Sequence, residues 1–222
     1  MLDRVLSTIA PHICCSCGAE NALVCEYCFF DICETPYERC VVCSRPTVDD
    51  NLCTTCRPNV QCDAAWVVGE RTGTLRELID RYKFDRAKEG ASIMAQLLEQ
   101  RLPQLPATAV VCFVPDISSH RRQRGYDHMR HVAKLFAERR GLPCRPLLVR
   151  QTSLSQRGAN KKTRSSQQIG AFRVDSEIDQ PVVLIDDIYT TGATIAAGVS
   201  ALRARSSSAI FVAVVARQPF TK

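Results

Sequence analysis

Two adjacent aspartates, Asp186 and Asp187, close the apolar run at residues 181–185 and lead into Thr190, Thr191, Gly192, Ala193 and Thr194. Carboxylates accept hydrogen bonds from hydroxyls and hold hard cations through oxygen. A Thr-Thr-Gly turn opening a helix presents backbone N–H groups, the helix dipole and hydroxyl donors to an anion, and its glycine lets the backbone come close. Capping of a strand end and of the next helix accounts for acids at this place, but not for the Thr-Thr-Gly-x-Thr sequence after them. A magnesium-binding ATPase strand needs an upstream G-x-x-x-x-G-K-[ST] loop, and neither "GANKKT" nor "GERTGT" has that spacing. A phosphoacceptor pocket of the receiver type needs its acid pair on the first strand, whereas this pair falls on the next-to-last. A phosphoribosyl site uses every polar residue. The turn holds a 5′-phosphate, and Asp186 and Asp187 hold the 2′- and 3′-hydroxyls of the ribose.

A second chemistry is concentrated near the start. Eleven of the 13 cysteines lie within residues 14–62, and eight form four C-x2-C pairs: Cys14/Cys17, Cys25/Cys28, Cys40/Cys43 and Cys53/Cys56. Such spacing lets a tight turn point two thiolates at one metal, and two turns complete a four-cysteine zinc site. A disulfide framework is the competing reading. The first residues lack a basic segment followed by an apolar core, which argues against a secretory signal and so against disulfides. Two structural zinc ions are expected, in consecutive ribbons or in a cross-braced arrangement, with the short gaps favouring consecutive ones. Cys15, Cys33 and Cys62 are left over as possible replacement ligands, and Cys112 and Cys144 read as core residues.

Residues 1–62 hold four Lys/Arg against eight Asp/Glu, a net −4, while the remainder of the chain carries +10. Residues 120–164 alone hold 13 Lys/Arg against Asp127 and Glu138. That concentration suits a polyanionic ligand, phosphates or nucleic acid. Tyr126 and Phe136 are the only aromatics there, few for a platform that stacks single-stranded bases. The acidic cysteine-rich segment is itself a poor nucleic-acid binder, and its charge predicts docking against the basic remainder.

These residues need elements to hold them. Two domains are expected: a double zinc-ribbon module at 1–62 and an α/β domain at 63–222. In the second, strands are read at 64–70, 109–115, 145–150, 171–174, 182–187 and 209–217, with helices at 75–84, 90–102, 127–141 and 192–204. Strands apolar along their whole length, alternating with helices, predict a parallel sheet covered on both faces. Ligands bind such sheets outside the carboxyl ends of the strands, where Asp186 and Asp187 are placed. Residues 151–170 lack periodicity and read as a polar loop whose Lys161, Lys162 and Arg164 suit a lid over an anion. Leu2, Val5, Leu6 and Ile9 share one face of a short helix docking on the body. No apolar run reaches the roughly 18 residues of a membrane span, so no transmembrane segment is expected. No general base stands out among His12, His120, His128 and His131.

"VVLIDDIYTTGAT" resembles the 5-phosphoribosyl 1-diphosphate (PRPP) motif of type I phosphoribosyltransferases. The order of parts, a cysteine-rich zinc segment followed by that domain, resembles the ComF/GntX family over nearly the whole chain. "ELIDRYKF" is similar to a family segment that would put Lys83 near the pyrophosphate. "VPDISSHRRQRGYDH" resembles another, which implies the same for Arg124. "SLSQRGANKKTRSSQQIGAF" is similar to the family's loop, matching Gln156 and Arg164, although Gln167 stands where the family has Asn, and "VPD" lacks the "PLHP" that the family usually shows after its Val-Pro. The resemblance implies a type I phosphoribosyltransferase-like fold, PRPP bound with Mg²⁺, and a cytoplasmic role in natural competence. Its partners would be incoming single-stranded DNA and competence proteins at the inner membrane face. Two functions follow as expectations: a phosphoribosyltransferase with an undetermined acceptor, or a non-catalytic protein binding a phosphoribosyl ligand or single-stranded DNA.

Overall fold

The structure, a computed structural model, describes residues 13–85, 87–116, 127–151 and 171–220. The expected N-terminal helix, Arg124 and the lid residues Gln156, Lys161, Lys162 and Arg164 lie outside the described residues. In chain order the elements are α1 (Glu26–Glu34), β1 (Ala64–Glu70), α2 (Gly73–Phe84), α3 (Glu89–Arg101), β2 (Val110–Phe113), α4 (His128–Arg140), β3 (Val149–Arg150), β4 (Phe172–Arg173), β5 (Val182–Tyr189), α5 (Ala193–Arg203) and β6 (Ile210–Arg217).

Four strands form a parallel sheet in the order β1-β6-β5-β2. Their unbroken apolar runs follow from burial on both faces. On one face Val183, Ile185, Ala213 and Val215 pack against residues of α1 to α4, among them Leu78, Met94 and Phe136. On the other, Val182, Leu184, Val212 and Val214 meet α5 and the cysteine-rich module through Leu202, Val41 and Leu52. Helix α4 starts where the Asp127 side chain accepts the Arg130 N–H at 3.2 Å, and it stops at Gly141 in the left-handed region (φ 65°).

The strands expected at 145–150 and 171–174 do not join this sheet. They shrink to β3 and β4, two residues each, paired antiparallel to one another. The chain runs along β2 only through residues 143–145, where Val111 N–H donates to Pro143 O and Arg145 N–H to Val111 O. Pro146 then has no N–H to continue a ladder.

The cysteine-rich module closes the other margin of the sheet. Asn51 N–H donates to Ala65 O at 2.7 Å and Val67 N–H donates to Asn51 Oδ1 at 2.7 Å, so one asparagine takes two groups of the outer edge of β1, and Arg101 Nε takes a third, Val67 O, at 3.0 Å. Asn51 Nδ2 donates to the Tyr37 and Arg39 carbonyls within the module. The basic side contributes arginines, but they address carbonyl oxygens: Arg101 donates to Tyr37 O at 3.1 Å, Arg203 to Gln61 O at 3.0 Å and Arg217 to Val41 O at 2.8 Å. Docking is therefore a matter of hydrogen bonds to neutral groups more than of opposite net charges.

Candidate functional site

Both aspartates lie inside β5, not at its end. Asp186 is in register with Val214, and the pairing continues through Ile188 with Ala216 and Tyr189 with Arg217. Burial follows: the two residues are 8% and 7% exposed. Neighbouring strand residues point to opposite faces, so the two carboxylates have separate surroundings.

Asp187 faces α2 and α4. Its Oδ2 lies 2.7 Å from Lys83 Nζ and is also bonded by His128 Nε2. His128, the first residue of α4, places its Nδ1 2.5 Å from Asp116 Oδ2 just past β2. A continuous chain, Asp116–His128–Asp187–Lys83, thus crosses the carboxyl ends of β2 and β5. Burial works against the imidazolium of His128, but hydrogen bonds from Asp116 and Asp187 and their charges outweigh it and raise its pKa to about 9. Burial likewise opposes ionisation of Asp187, and the Lys83 charge and the His128 hydrogen bond overcome it, holding the carboxyl well below the usual range.

Asp186 goes the other way. Burial and the neighbouring Asp187 charge push it up to about 8, against the Asp187 N–H that donates to it at 3.0 Å. Two adjacent carboxyls are thereby driven apart, one ionised and one inclined to keep its proton, a pattern typical of functional sites. Arg150 stands nearby, stacked on Phe172 with 4.8 Å to the ring centre, and donates to Pro115 O at 3.3 Å.

The turn after β5 is arranged as expected. Thr190 and Thr191 are exposed, Gly192 is the N-cap of α5 in the left-handed region (φ 79°), and Ala193 and Thr194 begin the helix. Gly192 has no side chain to cap α5; the Ala193 N–H donates to Thr191 Oγ1 at 3.4 Å, and the next N–H groups have no side-chain cap from Gly192. A Cβ at Gly192 would lie 2.0 Å from the Tyr189 hydroxyl. Glycine is needed here for its conformation and for the tyrosine packed against it.

The structure brings Lys83, Asp186, Asp187 and residues 190–194 to one end of the sheet. It adds His128, Asp116 and Arg150, which the sequence did not point to. The available signal for His128 was its position: it opens the helix after β2, at the edge where parallel sheets bind ligands. Asp116, Asp127 and His128 also place one donor atom each within 4.8 Å of the others, although hydrogen bonds among these residues already use much of that capacity. A cleft of about 430 Å³ between residues 31–39 and the start of α2 mixes Asp31, Glu38 and Glu70 with Arg39, and selects no class of ligand.

The cysteines resolve into two groups, Cys14/Cys17/Cys25/Cys28 and Cys40/Cys43/Cys53/Cys56. The grouping is consecutive, and Cys15, Cys33 and Cys62 belong to neither. A tetrahedral ion with Zn–S bonds of about 2.3 Å needs sulfurs about 3.8 Å apart. Cys17 and Cys25 Sγ are 3.5 Å apart, Cys43 and Cys53 Sγ 3.6 Å, and every cysteine is a free thiol. The two groups repeat one design: Gly18 N–H donates to Cys14 O and Ser44 N–H to Cys40 O, with Gly18 (φ 78°) and Ser44 (φ 59°) both left-handed. Both groups fit zinc. Helix α1, which carries Cys28, is an addition to the expected ribbons. Cys112 is a core residue as expected, whereas Cys144 is only half-buried.

Among the described residues no helix is long and apolar enough to cross a membrane. No family model matches the chain and no curated protein matches it, so the likeness to the ComF/GntX family stands on its motifs alone.

Proposed function

We propose that this chain binds PRPP, or a related phosphoribosyl ligand, at the carboxyl ends of β2 and β5 and acts as a phosphoribosyltransferase. The observation that carries the reading is the sequence of two buried carboxylates followed directly by the threonine-lined N-terminus of α5 behind a left-handed Gly192. The turn at 190–194 takes the 5′-phosphate, and the ribose hydroxyls reach Asp186 and Asp187. Asp186, raised to about 8, can donate as well as accept at neutral pH, which suits a hydroxyl partner. Asp187 stays ionised beside the ring carbon that gains positive charge as the C1′–O bond to pyrophosphate breaks, and it stabilises that charge. The bond's electron pair leaves with pyrophosphate, and the acceptor's lone pair forms the new bond to C1′. Lys83, which shares Asp187 with His128 in the ligand-free chain, moves to the pyrophosphate once a ribose hydroxyl takes its place. Mg²⁺ arriving with PRPP, for which Asp186 and Asp187 offer suitable oxygen ligands, would offset charge on the leaving group.

One observation favours the alternative, binding without turnover: Asp187 Oδ2 is already engaged by two cations, and the ribose must displace one of them. In either form, the resemblance to the ComF/GntX family supports a role in natural competence, on the cytoplasmic side of the membrane, where single-stranded DNA enters.

Calorimetry with PRPP and Mg²⁺ tests the site. The Asp186→Asn, Asp187→Asn double variant should lose PRPP affinity while remaining folded, and unchanged binding would sink the assignment. Pyrophosphate release across a panel of nucleobases and single-stranded DNA then separates the two forms. Release with any acceptor marks a transferase; PRPP binding without release marks a binding protein.

A further inference from the structure

Arg217, the last residue of β6, is a buried guanidinium, 5% exposed, that the mechanism above does not use. Among the described residues it forms no ion pair with a carboxylate. Its donors go to three backbone carbonyls: Nε to Val41 O at 2.8 Å, Nη1 to Gln218 O at 2.6 Å and Nη1 to Tyr189 O at 3.2 Å. Its faces are stacked by Tyr189, 5.1 Å from the ring centre, and Phe220, 4.2 Å. A buried cation without a counter-charge is costly, so the source of compensation matters.

Val41 supplies the clue. It sits inside the Cys40–Cys43 knuckle, and four thiolates around one Zn²⁺ carry a net charge of about −2. The loaded second cluster is thus an anion directly behind the carbonyl that Arg217 grips. Tyr189 is held by the same guanidinium, which stacks on its ring and donates to its carbonyl at 3.2 Å. Tyr189 in turn lies against Gly192, occupying the space where a Cβ would be. The path from metal to turn is therefore Cys40–Cys43, Val41, Arg217, Tyr189, Gly192, in contact at each step.

We propose that Arg217 is a positioning residue through which zinc in the Cys40/Cys43/Cys53/Cys56 cluster sets the shape of the 190–194 turn, and hence its grip on a phosphate. The inference rests on the phosphate-binding reading of that turn for its consequence, but not for the coupling itself. Loss of the second zinc removes both the knuckle that aims the Val41 carbonyl and the charge that balances the guanidinium. Tyr189 is then unpinned, and the left-handed turn at Gly192 loses the ring that backs it. Among the described residues no hydrogen bond joins the first cluster to the turn; its neighbours Cys15 and Ser16 bond Thr74 instead.

The test uses the full zinc-loaded chain and reads amide hydrogen exchange over residues 189–196, which needs no ligand. Arg217→Met should speed exchange there about tenfold while zinc content stays unchanged. Cys53→Ser, which disables the second cluster, should do the same, whereas Cys33→Ser, in the same module but outside both clusters, should not. Should Arg217→Met or Cys53→Ser fail to fold, Tyr189→Phe, which removes only the hydroxyl above Gly192, carries the test with a smaller acceleration in the same segment. Unchanged exchange over 189–196 in the folded variants would overturn the proposal. Calorimetry with PRPP adds the functional arm: Arg217→Met should weaken binding about tenfold. A wild-type chain that does not bind PRPP would refute the proposed ligand and leave the exchange result to decide the coupling.

Discussion

Lys83 and Asp187 form an ion pair 2.7 Å long whose side chains are 15% and 10% exposed, joining α2 to β5 at the floor of the site. Removing one partner of a buried pair leaves the other charge without compensation, at a cost of about 3 kcal/mol. Lys83→Met should lower stability in urea by that order, and Asp187→Asn by a similar amount. The double variant should fall short of the sum by more than about 1 kcal/mol, because the two residues act on one another. Additive losses would show that the pair is not coupled in the folded chain.

Stability should decline on the alkaline side. His128 ordinarily titrates at 6.5 and in the folded chain at about 9, so the folded form keeps a proton that the unfolded form releases. Its contribution is complete below pH 6.5 and lost as the pH climbs through 9, up to about 3 kcal/mol. Asp186 has the same sign over a lower window, complete below 3.8 and lost through about 8. Asp187 has the opposite sign, with stability present above 3.8 and lost on acidification. Denaturant midpoints measured from pH 6 to 10 should fall in the wild type, and fall less steeply between 8 and 9 in His128→Gln, where the Asp186 contribution is already spent. An equal slope in both would refute the His128 assignment.

Gly192→Ala combines two penalties. Its φ of 79° is strained for a residue with a Cβ, and the new methyl would overlap the Tyr189 hydroxyl at 2.0 Å. Together they should cost about 2–4 kcal/mol in urea denaturation. Adding Tyr189→Ala should relieve the overlap and leave the backbone strain of about 1 kcal/mol on top of the cost of losing the ring.

Metal analysis of the purified chain should return two zinc ions, since two groups of four thiols lie at ligand spacing. Cys25→Ser should remove one of them. Cys15→Ser and Cys33→Ser should remove none, because neither residue belongs to a cluster. One zinc in the unaltered chain would disprove the pairing.

The parts legible in the sequence are those whose signal is local. Four C-x2-C spacings gave the consecutive clusters, because short gaps leave little choice of partner. Unbroken apolar runs at 64–69, 182–185 and 209–216 gave the parallel sheet, because burial on both faces disfavours polar residues. Thr190 to Thr194 could be placed because a strand end and a helix start flank them. What stayed hidden depends on distant pairs. His128 meets partners 12 and 59 positions away, and Arg217 meets Val41 across 176. Asp186 and Asp187 looked like a strand end because charge usually marks one; Lys83 and His128 let the strand continue past them. Helix α1 was masked because its nine residues begin within the Cys25–Cys28 knuckle and bury only Cys28 and Ile32.

Asn51 and its module stand against the outer margin of β1, giving that strand the neighbour a sheet would otherwise seek elsewhere. The strand is Ala-Ala-Trp-Val-Val-Gly-Glu, apolar for most of its length. If the metal is withdrawn and the module lets go, seven residues of adhesive backbone come into the open, ready to pair with another copy. Zinc-starved protein should then be lost by clumping before any weakening of its chemistry could be noticed, which makes the small module a guard on solubility as much as a part of the site.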